Sequence, residues 1–203
     1  MKYLILLLLP FYCFAADNSI YIDQVGSNNQ ITIIQTNTGN SIEGISQQAA
    51  PLQGDYNQIS ITQDSNNSFK INLTGDFNNV TANQSTSHTA ETTVNGNNNT
   101  VNFQQHNSGN KSIIGSISGS NNSVSATQQG SGQHQLSLSL TGNGHIINAL
   151  QKDSGNHNAT LNLTNNGGPA NVTLSQQGTS NLNYSLIQNC SMIGGCVTTV
   201  TQQ

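Results

Sequence analysis

The chain has 203 residues, of which 33% are hydrophobic and only 6% charged, with a formal net charge of -4. Its four cations are Lys2, Lys70, Lys111 and Lys152, with no arginine, so it lacks the clustered charge that phosphate neutralisation needs. Nucleic acid and anionic membrane are therefore not expected partners, and the low net charge argues against disorder by self-repulsion.

The remaining composition is Asn, Gln, Ser, Thr and Gly. It fits either an aggregation-prone disordered chain or an ordered β-stack whose side-chain amides bond along the stack, and periodicity has to decide between them. The first 16 residues stand apart: Lys2, an apolar run from Tyr3 to Phe14, then Ala15-Ala16. This reads as a signal peptide over 1–16, because the run is too short to span a bilayer. Bulky Phe11-Tyr12 disfavours lipid attachment at Cys13. The mature chain is expected to begin near Asp17, to need secretion machinery and to reside extracellularly or at the cell surface, with no membrane insertion after cleavage.

From Asn18 a strand, turn, strand rule begins. Asn18, Ile20, Ile22 and Gln24 share one side of an extended strand, and Val25-Gly26-Ser27-Asn28 supplies a turn. Asn29, Ile31, Ile33 and Gln35 then repeat the inward formula. One such unit cannot bury its apolar face, so copies must stack on copies. The second copy opens at Asn40 and closes with Asn57, Ile59, Ile61 and Gln63; residues 47–56, holding Pro51 and Gly54, read as an insertion bulging outward.

Further copies open near 67, 88, 111, 134, 157 and 182, with a step of 23 residues from His88 to His157. Their first strands carry Phe69, Ile71, Leu73; Ala90, Thr92, Val94; Ile113, Gly115, Ile117; Leu136, Leu138, Leu140; and Ala159, Leu161, Leu163. Turns follow at Gly75, Gly96, Gly119 and Gly142, and a longer one runs from Thr164 to Pro169. Second strands keep an amide frame: Asn78 with Gln84, Asn99 with Gln105, Asn122 with Gln128, then Gln151 and Gln176. The last unit has Leu182, Tyr184, Leu186 and Gln188 in one strand and Thr198, Val200 and Gln202 in the other. Between them Cys190 and Cys196 enclose a short loop, and with a secretory leader a disulfide there is expected over two free thiols.

The expected fold is thus all-β: a single β-solenoid over 17–203 of about eight stacked strand-turn-strand repeats, with two facing parallel sheets. At the usual strand spacing it forms a rod roughly 35–40 Å long. Gln and Asn at the strand ends are expected to face inward as structural ladders.

Asn18, Gln24, Gly26, Asn29 and Gln35 reproduce the spacing of the curlin repeat, and the chain resembles the curlin repeat family of curli functional-amyloid subunits. Later copies keep the second-strand Asn and Gln but replace the first-strand Gln by Leu73, Val94, Ile117, Leu140 and Leu163. The resemblance implies a secreted structural subunit, major or minor and nucleating, that associates with itself or with other curlin-like subunits into fibres for adhesion and biofilm matrix. The alternative is a non-polymerising solenoid adhesin or a virion- or surface-associated binding module.

No enzymatic activity and no cofactor are expected. Asp17, Asp23, Glu43, Asp55, Asp64, Asp76, Glu91 and Asp153 are scattered rather than grouped as a catalytic pair. His88, His134 and His157 occupy one repeat position, but Asn67 and Lys111 share it, which favours a polar strand-opening role over a metal site.

Overall fold

The computed structural model describes residues 17–46, 50–165 and 167–203, so the expected signal peptide at 1–16, with Cys13, lies outside the described residues. Within them the chain is a β-solenoid of about eight turns, with every strand pair parallel and in register.

One sheet is built from the first strand of each turn: β1 (Ser19–Ile20) and β2 (Ile22–Val25), then β4 (Ser41–Glu43) and β5 (Ala50–Gln53), then β7 (Ser68–Thr74). It continues through β9 (Thr89–Asn95), β11 (Ser112–Ser118), β13 (Gln135–Thr141), β15 (Asn158–Asn165) and β17 (Asn183–Cys190). The second sheet stacks β3 (Gln30–Gln35), β6 (Gln58–Ser65), β8 (Asn79–Thr86), β10 (Thr100–Gln105) and β12 (Ser123–Gln128). It ends with β14 (Ile146–Gln151), β16 (Ala170–Gln176) and β18 (Cys196–Gln202).

Period-two alternation generates this architecture. Inward positions such as Ile71, Leu73, Val80, Ile113, Leu138 and Leu161 are fully buried, and their sequence neighbours face solvent. The core is one side chain deep from each sheet, so bulk on one side is matched by its absence on the other. The Phe103 ring fills the space left by Gly115, where an added Cβ would lie 2.9 Å from the ring.

The second turn differs from expectation. Residues 50–53 form β5, and Gly54 to Tyr56 make an ordinary corner, so neither bulges out. Glu43 pairs with Lys70 while Leu52 pairs with Leu73, which places Ala50 beside Ile71. The extra residues are therefore 44–49, inserted between two adjacent positions of one strand, of which 47–49 lie outside the described residues. Pro51 tolerates this strand because Ala50 and Leu52 still supply the buried face.

Candidate functional site

Three columns of polar side chains run parallel to the solenoid axis. The most regular lies at the end of the second strand: Gln35, Gln63, Gln84, Gln105, Gln128, Gln151, Gln176 and Gln202. Each Nε2 donates to the Oε1 of the next rung, over 2.8–3.0 Å. The second amide hydrogen crosses the core to a first-strand carbonyl, as from Gln105 to Thr89 at 2.9 Å and from Gln128 to Ser112 at 3.0 Å. Every interior glutamine thus ties together two rungs and two sheets, and burial leaves none of its amide hydrogens unmet.

Asn29, Asn57, Asn78, Asn99 and Asn122 form the second column, at the opening of the second strand. Each Oδ1 accepts the backbone N–H of the next member, as Asn57 Oδ1 does from Asn78 at 2.9 Å. Each Nδ2 donates to a corner carbonyl one rung on, from Asn29 to Gly54 at 2.7 Å through Asn122 to Gly142 at 2.9 Å. The corner must be glycine because that carbonyl approaches so closely. At Gly96, φ is +136° and a Cβ would lie 2.0 Å from the Gly119 oxygen. Gly26, Gly75, Gly119 and Gly142 occupy the same corner, and Gly54, which the sequence reading placed in an insertion, is another member.

The third column opens the first strand: Asn18, Asn40, Asn67, His88, Lys111, His134, His157 and Leu182. Its asparagines behave as in the second column, Asn18 Oδ1 accepting from the Asn40 backbone at 3.0 Å. His134 imitates an amide. His134 Nε2 bonds to the Gln129 carbonyl at 2.9 Å, and its Nδ1 accepts the His157 N–H at 3.4 Å. The His134 and His157 rings stack with centroids 5.0 Å apart. This imitation requires neutral imidazole. Burial pushes His134 down to about 4, and burial with the neighbouring Lys111 charge pushes His88 down to about 4. Both ring nitrogens of His88 are buried without a hydrogen-bond partner among the described residues. The Lys111 ammonium donates to the Ser108, Gly109 and Gly130 carbonyls at 2.5, 3.2 and 2.8 Å, and burial lowers it to about 8. Among the described residues no three His, Cys, Asp or Glu side chains converge as metal ligands.

These columns matter most where they stop. β1, β2 and β3 form the first rung and β17 and β18 the last, each with an outer backbone edge that no described strand covers. Gln24 and Asn18 sit exposed on the first rung, with Asn29 and Gln35 half-buried beside them. Following the register from Gln24 passes through Leu52, Leu73, Val94, Ile117, Leu140 and Leu163, and arrives at Gln188. The first-strand amide column is therefore aliphatic inside and amide only at the two terminal rungs. Gln188 and Gln202 were not counted among the ladder residues from sequence. The shared spacing alone would have found Gln202, whereas Gln188 gains meaning only once the register places it in line with Gln24.

The other two columns run out before the end: the third gives way to Leu182 at the last rung, and the second, after His145, to Ala170 one rung earlier and then to Cys196. Cys190 and Cys196 are joined by a disulfide that closes the terminal corner. Comparison with protein-family models, with curated proteins and with solved structures returns no match for this chain.

Proposed function

We propose that the chain is a secreted structural subunit that stacks end to end into extracellular fibres, in the manner of curlin-like proteins, and serves adhesion and biofilm matrix. The observation that carries this reading is the chemistry of the two ends. A second copy laid on the last rung in continued register brings Gln24 onto Gln188 and Gln35 onto Gln202. It also sets Ile20 and Ile22 on Tyr184 and Leu186, and Ile33 on Val200. An amide in an otherwise aliphatic column is costly inside the stack, because it finds no amide above or below it. In a single copy Gln24 is solvated and Gln188 Oε1 accepts from Thr198 Oγ1 at 3.3 Å; across a junction the two amides would meet each other, so stacking buries them without that cost. The uncovered strand edges favour the same outcome, since each is a template for another parallel strand.

A second reading, a non-polymerising module that binds along its flank, is favoured by the loss of the Asn partners at Leu182 and Cys196. It is also favoured by a shallow trough on the second sheet lined by Ser125, Thr127, Leu150 and Thr173. The test is to purify residues 17–203 and follow assembly by electron microscopy and fibre diffraction. Fibres with a meridional spacing near ~4.8 Å, whose growth is lost in the Gln24→Ala/Gln188→Ala double variant, are expected. A chain that stays monomeric, folded and β-rich at high concentration would overturn the proposal and leave the flank-binding reading.

A further inference from the structure

We infer that the disulfide-closed corner of the last rung is an apolar clasp for the first rung of the next copy. The inference rests on the end-to-end reading and adds to it a contact on the outer surface, away from the amide columns.

Among the described residues, eight of the twelve exposed large apolar side chains belong to the first and last rungs. The interior rungs carry the other four, Tyr56, Phe77, Ile114 and Ile146, and are otherwise mostly polar on their outward faces. Val25 shows this most simply: its outward column continues as Gln53, Thr74, Asn95, Ser118, Thr141, Thr164 and Asn189, so Val25 is its one apolar member. In the column two residues earlier, Asp23 is followed by Pro51, Asn72, Thr93, Ser116, Ser139 and Asn162, until the last rung presents Ile187, which is 82% exposed. Continued register would lay Asp23 of the next copy over Ile187. Tyr21 and Val25 of that copy would then flank Ile187 on the same face, within reach of its branched side chain.

The corner supplies the other half. Residues 191–195 make a longer turn than the three-residue corner 26–28, closed at its base by the disulfide and at its tip by Gly195 N–H donating to the Met192 carbonyl at 2.9 Å. The body-facing side of this turn is already occupied. It lies on the corner of the preceding rung so closely that a Cβ on Gly168 would stand 2.1 Å from the Met192 oxygen, and one on Gly195 2.5 Å from the Pro169 oxygen. Met192 and Ile193, at the tip of this turn, are 65% and 94% exposed. In the stacked arrangement they overhang the tight corner of the next copy, where Val25 stands directly before Gly26. A wide corner beside a tight one is already accommodated within this molecule, where Gly142 of a tight corner meets Asn165 of a wide one. The occupant is therefore a second copy of this chain, met by Ile187, Met192 and Ile193 on one side and by Tyr21 and Val25 on the other.

The critical concentration for fibre growth should be measured for the unaltered chain, for Val25→Ser, for Met192→Ser/Ile193→Ser and for all three substitutions together. All these side chains are exposed in the single copy, so thermal melting of the monomer should not change. Either set is expected to raise the critical concentration about tenfold, and the combination little further, because one contact is removed from either side. Cys190→Ser/Cys196→Ser, which frees the base of the turn, should act in the same direction. A second measurement is Val25→Cys with Ile193→Cys, which a short thiol-specific bridging reagent should link between copies in fibres and not in monomers. Fibres with an unchanged critical concentration and no cross-link would overturn the clasp while leaving end-to-end stacking intact. Failure of the unaltered chain to polymerise would overturn both.

Discussion

His88 occupies a position that the three preceding rungs fill with asparagine, and its imidazole gains no hydrogen bond there. Asparagine at 88 has Asn67 Oδ1 beside it as an acceptor, so His88→Asn is expected to stabilise the fold by about 1–2 kcal/mol, read from thermal or urea unfolding. The same residues set an acid limit. His88 and His134 are held neutral, their folded values near 4 lying below the ordinary 6.5. The unfolded chain therefore binds more protons between those values, and stability should be full above about pH 6.5 and fall steadily towards pH 4. His88→Asn/His134→Asn should flatten that slope; a profile that stays equally steep would place the acid sensitivity elsewhere. At the corner, Gly96→Ala drives a methyl into the Gly119 carbonyl and imposes a backbone angle that alanine resists. A loss of about 3 kcal/mol or more is expected, measured by denaturant unfolding.

At the scale of the element, a column behaves as a unit. Gln105→Leu would remove the acceptor of Gln84, the donor to Gln128 and the donor to the Thr89 carbonyl in a single change. A cost of about 2–5 kcal/mol is expected, larger than for an exposed Gln→Leu change, which hydrogen exchange at the neighbouring strands should report as local opening. Amide and aliphatic columns are each self-consistent, and a single exchange between them is not. The inserted segment obeys the opposite logic. Because Glu43 and Ala50 take positions that Lys70 and Ile71 occupy as neighbours, deleting 44–49 should leave an unbroken strand with stability within about 0.5 kcal/mol of the parent. A collapse of folding on deletion would show that the segment anchors the second rung.

For the whole molecule, the low charge has a measurable consequence. The proposed assembly, through amide ladders, strand edges and apolar contact, would carry little Coulombic repulsion, so the rate of fibre growth should change less than about threefold between 0.05 and 0.5 M salt. Strong salt dependence would point instead to the few carboxylates as determinants. The all-β solenoid, its eight repeats, their openings and the inward-facing residues were legible in the chain, because a period of two within strands and a repeated Asn-Gln frame between them are local properties of sequence. The location of the insertion was not legible. Pro51 and Gly54 look like loop residues, and only pairing with β2 and β7 makes the segment around them a strand and a corner. Sequence by itself also determined that the chain has only four cations, all lysine. Only the tertiary structure decided which columns continue to the ends and which stop. Gln24 and Gln188 are 164 residues apart in sequence, and what brings them into one column is the sum of every rung between them.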